Sequence, residues 1–383
     1  MIAVVVFWAA VVLVFYAYAG YPLALGAVGA LRRRTVQRAA LRPRISVIMA
    51  VHNGAREIGA KLADLFAQDY PAELTEIIVA DDGSTDETVA LVERTAAAAG
   101  RAVRVIPVTE RGGKERAQKA AVEAAGGEIL VFTDVGTRMD PHGIATILRS
   151  FADPGVGSVS STDRFLNADG QPAGEGLYVR YEMALRRLET RVGSMVGMSG
   201  SFFAARRSIC ADFSTSLPSD FRTVINAVRA GQRAVCDEEA FGYYRDVARP
   251  ADELQRKIRT VLRGITAFFT EREVLNPFRY GLFSWQIASH KLARWLVPFA
   301  MLIALAASAV LAGESAFFRV VLGLQLAAYV GAALAQWRDI RIPGPLGTIL
   351  QFLVVVNWSI LVAWVRYLRG QRAVLWTPTT RGA

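Results

Sequence analysis

The sequence predicts an α/β domain with a mostly parallel sheet, held between hydrophobic segments that are long enough to cross a membrane. The chain has 383 residues and is 53% hydrophobic, whereas soluble domains are usually about 45–50% apolar. The excess lies at the two ends of the chain, and strand-like and helix-like stretches alternate between them. Two cysteines and three widely separated histidines exclude a disulfide-stapled miniprotein and a zinc cluster.

The N-terminal segment predicts a transmembrane anchor over residues 1–31. It contains no charged side chain between Met1 and Leu31, and about 20 apolar residues are enough to cross the hydrocarbon layer. A cleaved signal peptide is the alternative, but the apolar run is too long for one and lacks a basic leading region.

An arginine-rich run with no acid follows, over residues 32–44. Positive charge beside a membrane span favours the cytoplasmic side, which predicts a cytoplasmic location for the domain that follows. A nucleic-acid patch is the other interpretation. Lipid headgroups explain the run better, because it adjoins a span and has no interleaved aromatic residues.

The middle of the chain shows the alternation that is typical of a sheet with helices on both faces. Predicted strands cover 45–51, 75–83, 103–108 and 128–134, and predicted helices cover 57–69, 85–100 and 114–127. Ligands of such sheets bind at the carboxyl ends of the strands. Asp81, Asp82 and Asp134 all fall at strand ends, although turn and capping chemistry also explains an Asp-Gly-Ser-Thr-Asp loop.

The last hundred residues are apolar again, with candidate spans near 292–312, 316–336 and 346–366. The domain organisation predicted from these patterns is an anchor over 1–31, a cytoplasmic domain over 32–280, an interfacial amphipathic helix over 281–295, transmembrane helices over 296–368 and a basic tail over 369–383. The span count places the C-terminus outside the cell, whereas the tail arginines favour the inside.

Four motifs occur in order: VIMAVHNG (47–54), VADDGSTDET (79–88), GGKERAQKAAVEAAGGEILVFTD (112–134) and SDF (219–221). Together with the flanking spans, they resemble the membrane-bound glycosyltransferases of family 2, which make polysaccharides or glycolipids. The resemblance implies a GT-A nucleotide-sugar-binding domain and inverting transfer of a sugar from a nucleoside-diphosphate sugar, a UDP-sugar in the first instance. It also implies Mg²⁺ or Mn²⁺ as cofactor.

The resemblance further implies a multi-pass protein of the cell (inner) membrane that acts on a lipid-linked or polymer acceptor. Polysaccharide-assembly proteins are the partners it suggests, and nucleic acid is not among them. Asp220 matches the general base, and Asp134 matches the first acid of the metal-binding Asp-x-Asp motif. The positions that match substrate-binding residues are Ala50, His52, Asp81, Asp82, Lys114, Arg116, Ser199, Gly200, Ser201, Arg256 and Arg259.

Three positions depart from the family pattern. Gly136 stands where the second acid of Asp-x-Asp is expected, which puts metal binding in doubt. Ser219 replaces the acid that usually precedes the base. Thr260 replaces a tryptophan that stacks on the growing polymer in processive synthases, so addition of a single sugar to a membrane acceptor is the favoured activity.

Other functions remain as alternatives. A catalytically weakened nucleotide-sugar-binding relative is suggested by Gly136, and a processive polysaccharide synthase by the family. A nucleotide-cofactor oxidoreductase requires a Gly-x-Gly-x-x-Gly turn after the first strand, where this chain has Val51-His52-Asn53-Gly54. A transporter with an attached domain requires charges within its helices or paired broken helices, and neither is evident.

Overall fold

The computed structural model describes residues 1–108, 111–166, 177–245, 250–338, 342 and 344–372. The chain divides into two compact units. Of the described residues, those within 27–245 and 267–283 form the unit that we call the sheet unit, and those within 1–26, 250–266 and 284–372 form the unit that we call the helical unit. Residues 250–266 therefore group with the apolar helices, although the sequence predicts them in the cytoplasmic domain. Most of the predicted basic tail lies outside the described residues.

One eight-stranded sheet, in the order β3-β2-β1-β4-β7-β6-β8-β5, forms the centre of the sheet unit. Its strands are β1 (Ile45–Val51), β2 (Thr75–Asp81), β3 (Arg104–Pro107), β4 (Ile129–Thr133), β5 (Arg138–Met139), β6 (Val156–Leu166), β7 (Phe202–Arg206) and β8 (Arg233–Arg245). The first four are parallel, as predicted. The sheet as a whole is mixed, because β7 runs antiparallel to β4 and β6, and β5 runs antiparallel to β8.

The helices of the described residues follow the apolar periodicity of the sequence. They are α1 (Ile2–Phe15), α2 (Tyr21–Leu31), α3 (Ile58–Phe66), α4 (Thr88–Ala98), α5 (Lys114–Ala124), α6 (Gly143–Leu148), α7 (Leu177–Val192), α8 (Ser219–Arg229), α9 (Pro250–Thr270), α10 (Pro277–Tyr280), α11 (Leu282–Ile287), α12 (Arg294–Leu311), α13 (Ala316–Trp337) and α14 (Gly344–Leu368). Short 3₁₀ turns cover Ala72–Leu74, Arg149–Ala152, Arg207–Cys210 and Arg272–Leu275.

The parallel strands β1, β2 and β4 end along one edge of the sheet. Residues of β1 are buried on both faces, which is why this strand reads as a continuous apolar run. Val51 pairs with Asp81 at the last position of β1 and β2, and Ile48 pairs with Phe132 near the end of β4. The residues that directly follow these strands therefore lie along the same edge, as expected of parallel strands.

Part of the arginine-rich segment is bound to the sheet unit. The Arg38 guanidinium lies 3.5 Å from the carboxylate of Asp237, which is fully buried. Arg149 and the Ser150 hydroxyl also donate to that carboxylate, at 3.0 and 3.1 Å. A buried carboxylate needs such partners to remain charged, so the segment that follows the first apolar helix contributes to the fold as well as carrying positive charge.

The helical unit contains the apolar segments that the sequence predicts. In the part of the chain that the structure describes, four helices are long and apolar enough to cross a membrane, one near the N-terminus and three near the C-terminus: Ile2–Leu31, Leu282–Leu311, Ala316–Trp337 and Gly347–Leu368. The segment predicted as a separate interfacial helix over 281–295 is instead the first part of the continuous helix Leu282–Leu311. That helix contains a π-helical turn at Ala288–Ala293.

A second π-helical turn, Tyr16–Gly20, lies in the N-terminal helix. Its Tyr16 hydroxyl shares a hydrogen bond of 2.6 Å with Ser289 and accepts one of 3.0 Å from the Trp285 indole. Polar contacts of this kind hold apolar helices together, because hydrocarbon offers their groups no other partner. The two widened turns are thus joined by side-chain hydrogen bonds.

Gly127 lies close against the backbone of β1 in the sheet unit, where there is no room for a side chain. An ideal Cβ at Gly127 would stand 2.4 Å from the Ser46 amide nitrogen and 2.5 Å from the Ile45 carbonyl carbon, so a Gly127→Ala side chain would push against the backbone of β1. We expect Gly127→Ala to lower the free energy of unfolding by about 1–3 kcal/mol, as overpacking does. Denaturant titration of the full chain in detergent, followed by tryptophan fluorescence, measures this loss.

Gly126→Ala is the matched control. A Cβ there would meet only the Glu76 Oε2 atom, at an ordinary 3.8 Å. Equal stability of the two variants would contradict the close approach of residue 127 to β1.

Candidate functional site

Two loops at the carboxyl edge of the sheet are joined to each other. They follow β1 and β2, and Asn53 in the first adopts the left-handed conformation, with φ of 51°. The hydrogen bonds between them run from the Asn53 amide to the Ser84 hydroxyl (2.9 Å), from the Thr85 amide to Asn53 Oδ1 (2.8 Å), from the Ala55 amide to Asp86 Oδ2 (3.2 Å) and from the Gly54 amide to the Thr88 hydroxyl (2.9 Å). The loops therefore form one preorganised surface.

Asp82 fixes the loop that precedes α5. Its carboxylate is 1% exposed and accepts hydrogen bonds from the amides of Gly112 at 2.8 Å and Gly113 at 2.9 Å. Gly113 has φ of 90°, a conformation that favours glycine. The His52 ring contacts the Asp82 carbonyl oxygen through Nδ1 at 2.9 Å. His52, Asp82 and the loop before Lys114 are therefore brought together.

Lys114 joins two other parts of the chain. Its ammonium donates to Asp134 Oδ1 at 2.5 Å and to the Gly200 carbonyl oxygen at 3.0 Å. The Asp134 amide in turn donates to the Ser201 carbonyl at 3.0 Å. Residues from α5, from the end of β4 and from the loop before β7 thus meet at one point.

Asp220 lies over the same loop. An ideal Cβ at Gly200 would stand 3.2 Å from Asp220 Oδ2, so the absence of a side chain at Gly200 lets the carboxylate approach the backbone. Asp220 is the second residue of α8 and also accepts a hydrogen bond from the Phe221 amide at 2.9 Å. The predicted base and the predicted metal-binding acid therefore flank the loop 199–201.

Asp163 supports this loop and was not found by sequence analysis. It accepts hydrogen bonds from the Ser199 hydroxyl and, at 3.4 Å, from the Ser201 hydroxyl, and Arg186 lies 3.2 Å from its other oxygen. Ser199 and Ser201 thus use their hydroxyls within the protein. Asp163 lies on β6, far from the quoted motifs, and no local pattern marks it.

Lys61 supports the turn that follows Asp134. It is 1% exposed, and its ammonium donates to the Thr137 carbonyl at 2.6 Å and lies 3.3 Å from Asp64 Oδ2. Burial lowers the pKa of Lys61 from 10.5 to about 8. The sequence could have indicated that Lys61 is buried, because this lysine lies in the apolar stripe formed by Ile58, Leu62 and Leu65 on α3.

The other predicted residues lie in different settings. Asp81 accepts a hydrogen bond from the Ser84 amide at 3.1 Å, as the turn interpretation predicts. Ala50 is buried within β1, and Arg116 is exposed on α5. Arg256 and Arg259 lie on the part of α9 that belongs to the helical unit. Partial burial lowers the pKa of Arg259, and the neighbouring guanidinium groups of Arg263 and Arg256 lower it further.

Asp134 is the acid at this edge that the family pattern assigns to a divalent cation. None of the His, Cys, Asp and Glu side chains of the described residues form a group of three that could hold a metal ion. Asp134 is partly exposed, with 26% of its side chain accessible. Mg²⁺ commonly binds through one or two carboxylates together with substrate phosphates and water. The site therefore fits an ion that shares its coordination with a diphosphate, and does not fit one caged by protein alone.

Residues 46–214 match the family model described as Glycosyl transferase family 2. An N-acetylglucosaminyltransferase of Rhizobium meliloti (strain 1021) is 26% identical over 257 residues, which cover 63% of this chain and 59% of that protein. An N-acetylglucosaminyltransferase of Azorhizobium caulinodans is 27% identical over 172 residues, 44% of this chain and 43% of that protein. The chain spans about half the length of these curated relatives.

The fold is shared with a solved structure. Mannosyltransferase PcManGT from Pyrobaculum calidifontis, in complex with GDP-Man and Mn²⁺, matches with a TM-score of 0.77 at 24% identity, over 96% of this chain and 100% of that one. The mixed sheet with acids at the ends of its parallel strands is thus a GT-A domain, accompanied by helices that are able to span a membrane. Residues 46–214 of the chain are thus similar to a family 2 glycosyltransferase domain.

The pH dependence of stability tests the burial of Lys61. Because its pKa in the folded protein is lowered to about 8, the unfolded chain binds more protons than the folded chain between about pH 8 and pH 10.5. Stability therefore rises with pH through this window. We expect the unfolding free energy of the protein, relative to that of Lys61→Met, to increase by about 2 kcal/mol from about pH 7.5 to pH 10.

Denaturant titrations at several pH values measure this difference. The control is Lys119→Met, which removes a lysine from the surface of α5, where it pairs with Glu123. If the unfolding free energies of the protein and of Lys61→Met changed with pH in the same way, burial would not lower the pKa of Lys61.

Proposed function

We propose that the chain is an inverting glycosyltransferase of the cell membrane. Its donor is a nucleoside-diphosphate sugar, and its acceptor is a membrane-associated lipid or polysaccharide that receives a single sugar. The domain acts on the cytoplasmic side, where activated sugars are made. The arginines that follow the first apolar helix support this orientation.

One observation carries the proposal: Lys114 links Asp134 to the loop that Asp220 overlies. The ammonium bonds the Asp134 carboxylate at 2.5 Å and the Gly200 carbonyl at 3.0 Å, and Asp220 Oδ2 faces Gly200. An acid for the acceptor, a cation for the donor phosphates and an acid for a metal thus lie together. Each of these groups can assist the transfer of a sugar from a diphosphate.

Asp220 acts as the general base. It takes the proton of the acceptor hydroxyl as that oxygen attacks the anomeric carbon, and the bond from this carbon to the diphosphate oxygen breaks on the opposite face. One displacement inverts the anomeric configuration.

Lys114 and Asp134 act at the leaving diphosphate. Negative charge grows on the phosphate oxygens as the glycosidic bond breaks, and a preorganised ammonium stabilises that charge. Asp134 holds Lys114 in place and would hold a divalent cation, which would neutralise phosphate charge. Asp82 and His52 bind the nucleoside end, where the joined loops form a fixed surface.

The relatives guide the choice of donor. Both curated relatives quoted above are named N-acetylglucosaminyltransferases, which supports UDP-N-acetylglucosamine as the first donor to test. The solved mannosyltransferase was obtained with GDP-Man, so GDP-mannose is the second. The absence of a tryptophan at Thr260 supports single addition.

The substitution Asp220→Asn tests the mechanism. It keeps the shape of the side chain and removes its basicity, so we expect transfer to fall by about 10²–10⁴-fold while donor binding persists. Purified full-length protein in detergent is screened for donor-induced thermal stabilisation, and transfer to membrane-lipid extracts is measured with the donor that binds. Asp69→Asn, an exposed acid that contacts His142, is the control.

Two outcomes would contradict the proposal. Near-normal transfer by Asp220→Asn would show that Asp220 is not the general base. Donor binding without any transfer by the unaltered protein would favour a catalytically weakened relative that only binds nucleotide-sugars.

Metal binding tests the role of Asp134. Because the described residues contain no group of three metal ligands, we expect Mn²⁺ to be retained by the protein only together with UDP or GDP, and Asp134→Asn to abolish this retention. Equilibrium dialysis with electron paramagnetic resonance detection of Mn²⁺ measures it, with nucleotide alone as the reference. Tight binding of Mn²⁺ without nucleotide would reveal ligands beyond Asp134.

A further inference from the structure

Two side chains of β6 bind the loop 199–201 through Ser199. The Ser160 hydroxyl accepts a hydrogen bond from the Ser199 amide at 2.8 Å, and the Asp163 carboxylate accepts one from the Ser199 hydroxyl. Ser199 and Asp163 are 3% and 8% exposed, so water competes little for these bonds. The main chain and the side chain of Ser199 are therefore both fixed by β6.

The pairing of β6 with β8 is irregular where these two side chains lie. The register shifts between Ser160 and Thr162. Residues three apart on a regular strand point to opposite faces of the sheet, yet Ser160 and Asp163 bond the same residue. Irregularities of this kind redirect side chains and are frequent beside active sites. The register shift therefore accounts for the approach of Asp163 to the loop.

Arg186 sets the orientation of the Asp163 carboxylate. Its guanidinium lies 3.2 Å from Oδ2, so Oδ1 is left to accept hydrogen bonds from the hydroxyls of Ser199 and, at 3.4 Å, of Ser201. The carboxylate of an ion pair offers only acceptor atoms. Both serine hydroxyls of the loop therefore donate to Asp163.

The carbonyl groups of the same loop bond residues of the candidate site. The Gly200 carbonyl accepts a hydrogen bond from the Lys114 ammonium at 3.0 Å, and the Ser201 carbonyl accepts one from the Asp134 amide at 3.0 Å. Asp220 Oδ2 faces Gly200. The loop is thus held on β6 by its hydroxyls and bonds the site through its carbonyls. A rotation of the loop would shift Lys114 relative to Asp220.

We propose that Asp163 is a positioning residue for the sugar transfer and acts through the Ser199 hydroxyl. It holds the loop so that Lys114 and Asp220 stay aligned with the donor and the acceptor. Misplacement of such groups by about 1 Å can cost about 10²-fold in rate. This inference rests on the proposed function. It assigns the Ser199 hydroxyl, which the family resemblance places among the substrate-binding positions, to the support of the loop.

A double-mutant cycle on kcat tests this role. Ser199→Ala removes the hydroxyl and leaves the ion pair of Asp163 with Arg186 intact, and Asp163→Asn keeps the shape of the side chain and removes its charge. We expect each variant to lower kcat by about 10–100-fold with the KM for the donor nearly unchanged, because the loops after β1 and β2 are fixed by their own hydrogen bonds. The double variant should lose no more than one single variant, because both substitutions act through one bond.

Two measurements are made on the full-length protein in detergent. Transfer is assayed with UDP-N-acetylglucosamine and with GDP-mannose, and membrane-lipid extract supplies the acceptor. Hydrogen exchange of peptides covering 196–203, followed by mass spectrometry, reports on the loop without any transfer. We expect faster exchange in Asp163→Asn and in Ser199→Ala than in the unaltered protein. Because Ser199→Ala keeps the ion pair, its kcat, donor KM and exchange decide the proposal even where Asp163→Asn does not fold.

Asp237→Asn and Ser150→Ala are the matched controls. Asp237 is a buried acid that pairs with Arg149 and accepts a hydrogen bond from the Ser150 hydroxyl at 3.1 Å, just as Asp163 does with its own arginine and serine. Among the described residues, the Asp237 carboxylate bonds none of the loop 199–201. We expect the controls to lower the free energy of unfolding as the test variants do, and to leave kcat and the exchange of the loop unchanged.

Four results would overturn the positioning role. They are near-normal kcat in Ser199→Ala, a loss in the double variant that equals the product of the two single losses, an equal loss of kcat in Asp237→Asn, and unchanged exchange of the loop in the test variants. A large rise in the donor KM of Ser199→Ala would make Ser199 a substrate contact instead. Absence of transfer by the unaltered protein would contradict the proposed function, while the exchange of the loop would still show whether Asp163 holds it.

Discussion

The candidate site depends on the hydrogen bonds of one ammonium group. Lys114 reaches both Asp134 and the Gly200 carbonyl because two separate features of the fold agree. Asp82 fixes the loop before α5 through two glycine amides. The antiparallel pairing of Thr133 with Phe202 sets the loop before β7 beside the end of β4. A shift of one residue in that pairing would turn the β7 side chains to the opposite face and separate Gly200 from Asp134.

The sequence predicts the local parts of this arrangement well. Strands β1 to β4 begin and end within about two residues of their predicted positions, because buried apolar runs and glycine-closed helices follow simple periodicities. The motif order also predicts which side chains meet at the sheet edge. The structure does bring together Lys114, Asp134, Gly200 and Asp220. Their chemical roles belong to the proposed function.

The missed parts are those that arise from pairing over long distances. Nothing local in the sequence indicates that β6 lies between β7 and β8 or that Asp163 bonds the serines of the loop 199–201. The segment 281–295, predicted as an interfacial helix from its mixed polarity, places Trp285 and Ser289 in hydrogen bonds with Tyr16 within the helical unit. Polar residues in an apolar helix can serve helix packing as well as an interface.

Among the described residues, the α8 arginines Arg222 and Arg229 form ion pairs with acids other than Asp220. Arg222 is two residues further along the helix, and residues at this spacing do not share a face. Its guanidinium pairs with Asp212 and with the buried Glu271, and Arg229 pairs with Glu271 and Glu273. The arginines of α8 are therefore partnered by these three acids. Glu271 pairs with both arginines of α8, so we infer that it serves the proposed base Asp220 indirectly.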